Sequence, residues 1–194
     1  MTAHINSTDL LASGLSLCVP AADVMDQSQL CRECAQLGTT CCQGHDIFIT
    51  RGDCLRIFNH LQRKDFYEYR ACCEPAYADQ SDDPVWQQYV FRSDGRRRVL
   101  RRKDNGDCTF LTVSGCVLPL TVRPLVCRLF PHIYSALGLA DGWDVSCPAA
   151  VKTAGVALQG SIAGTALCDA VHWHQLLYNE LLWEKIGDED WIDL

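Results

Sequence analysis

The chain has 194 residues, of which 48% are hydrophobic and 21% are charged, a composition typical of a globular protein with one domain. Its net charge of −7 argues against a general nucleic-acid binder, which needs a basic surface. The sequence has no apolar run of about eighteen residues, so we expect no membrane-spanning helix.

The N-terminal segment is expected to lie outside the folded domain. Residues 1–20 lack a basic leader before their apolar part, so they predict a flexible arm rather than a secretory signal. A short helix is predicted within residues 21–36, and Gly38 follows as a stop signal. Residues 39–44 are then expected to form a loop.

The next segment is expected to contain one short strand and two helices. Residues 47–49 are strand-like, and Thr50 is a helix N-cap with Asp53 at the reciprocal position of a capping box. Apolar residues recur at helical spacing over residues 55–61. A second helix is predicted over residues 64–73.

Turn signals dominate the middle of the chain. Residues 75–84 are rich in Pro and Asp and predict a linker. Residues 86–92 and 98–102 are predicted to pair as a hairpin around a turn at Asp94 and Gly95.

Shorter elements are predicted toward the C-terminus. Residues 115–119 indicate a short strand, and residues 121–130 indicate one or two helical turns with Pro124 near the start. Residues 136–142 are predicted to be a loop that contains glycine. Residues 165–186 have the apolar stripe of an amphipathic helix.

Thirteen cysteines are the outstanding feature of the composition. Without a secretory signal we expect the reducing cytoplasm, where clustered cysteines serve metal or redox chemistry more often than disulfides. Eight are predicted metal ligands: Cys31, Cys34, Cys41, Cys42, Cys108, Cys116, Cys127 and Cys147. The other five are expected to be small core residues, the commoner role of a single buried cysteine: Cys18, Cys54, Cys72, Cys73 and Cys168.

Spacing and local backbone distinguish the eight predicted ligands. Cys31 and Cys34 have the CxxC spacing, which places two thiolates on one turn and occurs in zinc and iron–sulfur sites alike. Cys41 and Cys42 are adjacent, so their side chains diverge, which suits a pair shared between two centres or between a centre and a supporting position. Each of the other four lies close to a turn or helix breaker, namely Gly106, Gly115, Pro124 or Pro148.

Cys127 lies within the stretch Arg123-Pro124-x-x-Cys127-Arg128-x-Phe130-Pro131. Together with the other seven predicted ligands, it resembles the YkgJ-type cysteine-cluster family over residues 31 to about 148. The resemblance implies a zinc- or iron-chelating domain, often an iron–sulfur-cluster protein. A related domain in flagellin lysine methylases implies that some relatives are enzymes or parts of enzymes.

One spacing departs from the family pattern. The gap between Cys34 and Cys41 is longer than the family's CxxCxxCC motif implies, which leaves the roles of Cys41 and Cys42 open.

The identity of the metal stays open when only the spacing is considered. Eight thiolates could form two four-cysteine sites, each holding a zinc ion or an iron–sulfur cluster. The resemblance favours a cluster used in electron transfer or as the cofactor part of an enzyme. A structural zinc domain for protein interaction is the alternative, and a methyltransferase-like enzyme is a third, less favoured one. Whether the chain is an enzyme is left open.

Two arginines flank Cys127 and are the predicted cofactor-binding residues. Arg123 and Arg128 could offset the negative charge of a thiolate site or tune the potential of a cluster. The alternative is that each forms a surface salt bridge.

Two weaker signals have ordinary explanations. His45 and His132 lie near the cysteine motifs and could act as ligands or as donors to one, although polar surface is the commoner role. A basic run could dock an acidic partner, a nucleic acid or an anionic cofactor, but the solvated face of a hairpin is favoured. The run consists of Arg96, Arg97, Arg98, Arg101, Arg102 and Lys103.

The sequence therefore predicts an α+β fold, a small single domain of short helices and β-hairpins organised around a cysteine-ligated metal core. We expect the flexible arm over residues 1–20, the metal-binding domain over residues 21–150 and a C-terminal helical extension over residues 151–194 packing on it. The expected partners are a metal ion or cluster and a protein. A membrane is not expected, and neither is nucleic acid.

Overall fold

The protein is described here by a computed structural model that covers residues 27–72, 82–144, 146–147, 161–162 and 165–184. Within them the chain forms a small α+β domain of short helices and two-stranded antiparallel sheets. The helices are α1 (Gln27–Gln36), α2 (Arg51–Leu61), α3 (Pro84–Val90), α4 (Leu125–Leu129) and α5 (Leu167–Glu184). The strands are β1 (Tyr67–Ala71), β2 (Arg96–Leu100), β3 (Leu111–Thr112), β4 (Gly115–Cys116), β5 (His132–Ser135), β6 (Gly138–Trp143), β7 (Ser161–Ile162) and β8 (Thr165–Ala166).

Helix α2 begins with the predicted capping box. The Thr50 side chain accepts the Asp53 N–H at 2.9 Å, and the Asp53 carboxylate accepts the Thr50 N–H at 3.1 Å. Two of the donors that a helix start leaves unpaired are satisfied in this way. The predicted short helix that carries Cys31 and Cys34 and the predicted C-terminal helix are also confirmed, as α1 and α5.

The predicted helix over residues 64–73 is wrong, because that segment contains strand β1. Tyr67 and Tyr69 favour extended backbone, and β1 pairs antiparallel with β2 from Tyr67 opposite Leu100 to Ala71 opposite Arg96. Sequence periodicity could not reveal this partner, since the two strands are separated by an intervening helix.

The predicted strand over residues 86–92 is also wrong, because residues 84–90 form helix α3. Asp83 caps this helix by accepting the Trp86 N–H at 3.1 Å, and Pro84 occupies the first helical position, which needs no N–H. The predicted hairpin therefore does not form, and β2 pairs with β1 instead.

The predicted loop over residues 136–142 is a hairpin. Strands β5 and β6 pair with Ser135 opposite Gly138 and His132 opposite Trp143. Gly138 has a φ of +133°, which side-chain-bearing residues rarely adopt, so the glycine permits the tight connection.

The segment 47–49 links two hydrophobic clusters. Its neighbouring residues point to opposite sides: Ile49 packs with Ile57 and Phe66 in one cluster, and Phe48 packs in the other. The second cluster includes Leu125 and Leu129 of α4 and fixes α5 through Ala170, Leu177 and Leu181, all fully buried. Helices α4 and α5 are thus packed against one core.

None of the helices in the described part of the chain is long and apolar enough to cross a membrane. The predicted N-terminal arm lies outside the described residues, as does most of the predicted linker at 75–84.

Candidate metal centre

Seven of the eight predicted ligands form one electrostatically connected group, which we call the thiol cluster. Each of them shifts the pKa of another member or has its own pKa shifted by one. The cluster consists of Cys31, Cys34, Cys41, Cys42, Cys108, Cys116 and Cys127. The cysteines that the structure describes form no disulfide bonds with one another.

Helix α1 and strand β4 meet closely at the cluster. Gly115 has a φ of +90°. A Cβ added there would lie 3.0 Å from the backbone nitrogen of Arg32 and 3.0 Å from the carbonyl carbon of Cys31. Only glycine allows this approach, so Gly115 brings its neighbour Cys116 beside the start of the CxxC pair.

A turn at residues 40–43 presents the adjacent cysteines. The Thr40 N–H donates to Gln43 Oε1 at 2.9 Å, and the Cys42 N–H donates to Thr40 Oγ1 at 3.2 Å. Cys42 is half-buried, whereas Cys41 is exposed. The two members of the pair therefore occupy different environments.

Cys108 is attached directly to this turn. Its N–H donates to the Cys42 carbonyl at 2.8 Å, and its sulfur accepts the Phe110 N–H at 3.4 Å. The predicted turn before it is present, with Gly106 at a φ of +85° and the Asp107 N–H donating to Asn105 Oδ1 at 3.1 Å.

Arg123 places a buried positive charge against the thiols. It is 4% exposed, its Nε donates to the Leu118 carbonyl at 2.9 Å, and its Nη1 donates to Cys31 Sγ at 3.4 Å. A guanidinium withdrawn from water favours negative charge nearby. Burial raises the pKa of Cys31 and of Cys116, and the charge of Arg123 opposes that rise.

Arg128, the second predicted cofactor-binding residue, donates to the backbone of its own segment. Its Nε donates to the Arg123 carbonyl at 2.8 Å, and its Nη2 donates to the Thr121 carbonyl at 2.6 Å. Arg128 is buried. These contacts fold residues 121–128 into a closed loop that fixes the backbone of Arg123.

Burial has a larger effect than Arg123 on the pKa values of the thiols. It raises the pKa of Cys31 to about 11 and that of Cys108 to about 12. The pKa of Cys42 is raised most by its hydrogen bond with Cys41 and then by burial. Without a metal, these groups are neutral thiols near neutral pH.

The sulfur atoms share a neighbourhood but do not form a coordination geometry. Among the described residues, no three His, Cys, Asp or Glu side chains are arranged to hold one metal ion. A metal ion bound by thiolates requires sulfurs at about 2.3 Å from a common centre. Side-chain rotations within the cluster are therefore needed for binding.

Cys147, the eighth predicted ligand, is not a member of the thiol cluster. Cys147 is buried, and its N–H donates to the Asp144 carbonyl at 3.1 Å. It is not among the main contributors to the pKa shifts of the cluster thiols.

The cysteines predicted to be ordinary core residues have mixed positions. Cys54 is buried within α2, and burial raises its pKa to about 12. Cys72 and Cys168 are half-buried. Cys18 and Cys73 lie outside the described residues.

The two histidines also differ in environment. His45 is exposed. His132 is half-buried on β5, and its Nε2 is buried without a hydrogen-bond partner within the part of the chain that the structure describes.

The basic run is partly internal rather than one solvated face. Arg97 is 2% exposed, and Arg102 Nη2 lies 2.7 Å from Asp46 Oδ1. Arg70 of β1 pairs with the same carboxylate at 3.0 Å. Sequence reasoning missed Asp46, because the strand pairing that brings these arginines to it was not predicted.

Asp53, the predicted partner of Thr50 in the α2 capping box, has a second contact. Its carboxylate also accepts the Leu125 N–H, at 3.1 Å from Oδ1 and 3.3 Å from Oδ2. This bond connects α2 to the helix that carries Cys127, and no local sequence signal indicates it.

The chain matches no protein-family model, no curated protein and no solved structure at a significant level of similarity. The interpretation of the thiol cluster therefore depends on its own residues and geometry.

Proposed function

We propose that the chain binds an iron–sulfur cluster through thiolates of the thiol cluster. The observation that carries this proposal is the buried guanidinium of Arg123 hydrogen-bonded to Cys31 Sγ. Such a donor suits a site whose sulfurs become negatively charged, because it offsets charge that several thiolates would concentrate in a small volume.

The donor set is chemically appropriate for this group. Cysteine thiolates are the usual ligands of iron–sulfur clusters, and no disulfide bond joins the described cysteines to one another. The residues expected to hold the cluster are drawn from α1, the turn at residues 40–43, Cys108, the β3–β4 hairpin and α4. When bound, it would supply one-electron redox chemistry.

The polypeptide contributes charge and shielding. Arg123 hydrogen-bonds a ligand sulfur, which in such sites raises the reduction potential by stabilising the more negative state. Phe110, Leu111 and Leu118 are buried around Cys108 and limit the access of water to one side. Electron transfer, or a role as the cofactor part of an enzyme, fits this arrangement.

Anaerobic purification followed by metal analysis tests the proposal. The expected result is a brown protein that contains iron and acid-labile sulfide. Colourless protein with stoichiometric zinc under the same conditions would refute it. Failure to retain iron, sulfide or zinc after reconstitution would refute metal binding altogether.

A structural zinc site is the second candidate, and the packing of α1 favours it. Helix α1 carries two cluster cysteines and lies against β4 at Gly115, so a zinc ion shared between them would fasten the helix to the domain. Zinc would then contribute directly to folding stability. Chelation should unfold the zinc protein, and voltammetry should show no metal-centred couple.

The proposed setting is a reducing compartment such as the cytoplasm, because thiolate ligands must remain reduced to bind metal. A protein partner that exchanges electrons with the centre is part of the proposal.

A further inference from the structure

We propose that Asp53 is a positioning residue for the thiol cluster: its buried carboxylate holds the start of helix α4 and thereby fixes Cys127 and Arg123. This inference rests on the proposed function, since it assigns a role at the same site.

The carboxylate replaces a cap that α4 lacks. The N-cap residue Pro124 makes no side-chain cap hydrogen bond, and Leu125 is the first residue of the helix. The Leu125 N–H donates instead to Asp53, which is 72 positions away and 0% exposed. A charged acceptor at a helix start also opposes the partial positive charge there.

Both functional residues of this segment depend on that anchor. Cys127 lies two positions after Leu125, and Arg123 lies two positions before it. Arg128 closes the loop by donating to the carbonyls of Arg123 and Thr121. A movement of Leu125 therefore carries the cysteine thiol and the guanidinium together.

Asp53 is itself held more firmly than helix capping requires. Arg56 Nη2 donates to Asp53 Oδ1 at 2.6 Å, and Arg56 Nη1 donates to Glu180 Oε1 of α5 at 2.6 Å. The Thr50 hydroxyl also donates to Glu180. Capping α2 needs only the reciprocal bonds with Thr50, so it is the bond from Arg56 that additionally orients the carboxylate toward α4.

Three variants separate the two tasks of Asp53. In Asp53→Ala both the α2 cap and the bond to Leu125 are lost. In Asp53→Asn the amide oxygen can still accept the Leu125 N–H, while the NH2 group gives up one of the bonds accepted from Arg56 and Thr50, so this is the conservative variant. In the control Thr50→Ala, α2 loses its cap, but the Asp53 carboxylate remains beside Leu125.

The first readout needs no metal. Alkylation of Cys127 by N-ethylmaleimide is followed by mass spectrometry in the metal-free protein, with Cys168 as the internal reference. We expect Asp53→Ala to accelerate modification of Cys127 by about tenfold, the scale of a lost hydrogen bond to a charged acceptor. Asp53→Asn and Thr50→Ala should stay within about threefold of the wild type on the same scale.

The second readout is cobalt(II) titration, because the thiolate-to-cobalt absorption reports the geometry of the bound sulfurs. Asp53→Ala should shift and weaken this band, and Asp53→Asn should restore it. Equal effects of Asp53→Ala and Thr50→Ala in both readouts would overturn the assignment, because α2 stability alone would explain them.

Two further outcomes remain decisive. If Asp53→Ala does not fold, amide hydrogen exchange of Leu125 in the wild type decides: slow exchange supports the anchor, and exchange at the rate of an unstructured amide overturns it. If the wild type binds no cobalt, iron or zinc, the proposed function fails, while the alkylation comparison still tests the anchor.

Discussion

Arg123 Nη1 donates a hydrogen bond to Cys31 Sγ across 3.4 Å, although 92 positions separate the two residues in the chain. The contact joins the segment that contains Cys127 to the CxxC pair. It places a buried positive charge where bound thiolates would concentrate negative charge, and the first prediction follows from it.

Replacing Arg123 by methionine should weaken metal binding. The thiolates would lose their cation and one hydrogen-bond donor, and loss of such a supporting residue typically lowers metal affinity by about 10–100-fold. Competition against a chromophoric chelator measures the affinity for zinc or cobalt.

The matched control is the exposed arginine Arg101, which donates to the Tyr67 carbonyl at 3.0 Å. Arg101→Met should bind metal as the wild type does. An Arg123→Met protein that folds and keeps wild-type affinity would contradict the role of the guanidinium.

The adjacent cysteines should not be equivalent. Cys42 is half-buried and its carbonyl accepts the Cys108 N–H, whereas Cys41 is exposed. Cys42→Ser should reduce metal content strongly, and Cys41→Ser should leave the content high but increase the rate of metal loss to a chelator. Metal analysis and stopped-flow chelation give the two quantities. Equal losses of metal would show that both thiols are equivalent ligands.

Cysteines inside and outside the thiol cluster should respond differently to serine. Cys116→Ser or Cys127→Ser should lower metal content and destabilise the fold by about 1–3 kcal/mol, the scale for placing a hydroxyl in a buried site. Cys168→Ser, at a half-buried position of α5 outside the thiol cluster, should do neither. Metal analysis and denaturant unfolding check this, and three equal effects would invalidate the division.

Gly52 lies beneath the Glu180 carboxylate, so Gly52→Ala should destabilise the fold. The added methyl group would lie well inside van der Waals distance of Glu180, which bonds Arg56 and the Thr50 hydroxyl. Loss of these bonds, at about 1.5–3 kcal/mol each for charged groups, exceeds the usual gain of up to about 1 kcal/mol for alanine in a helix.

A double-mutant cycle isolates this clash. In a Glu180→Ala background, Gly52→Ala should become neutral or stabilising. A cost that persists without Glu180 would mean that the backbone at Gly52, rather than the carboxylate, excludes a side chain.

Folding stability should fall in mild acid partly because of His132. Burial lowers the pKa of this imidazole below its ordinary value of about 6.5. As pH falls through about 6.5, His132 takes up a proton in the unfolded chain but not in the folded chain. The contribution of His132 to the free energy of unfolding is therefore complete above this pH and is lost below it. His132→Gln should reduce the loss of unfolding free energy between about pH 7.5 and about pH 5. An unchanged pH slope would exclude His132 as its source.

Local chemistry determined several elements from the sequence. The Thr50–Asp53 capping box, the turn at Asn105 and Gly106, and the apolar stripe of α5 each act over a few neighbouring positions. Residues so close in the chain meet whatever the rest of the fold does, so their pattern is sufficient.

Contacts across the chain were decided only by the tertiary structure. The residues of β1 were predicted to be helical because their partner β2 lies 25 or more positions away, and strand pairing depends on that partner. The bond from Leu125 to Asp53 likewise has no local signature, since it forms only when α2 and α4 share a core. The spacing of the cysteines in the sequence predicted which of them are candidate ligands. The packing of the elements determined which thiols lie near one another, because distances between residues far apart in the chain depend on how the elements are buried together.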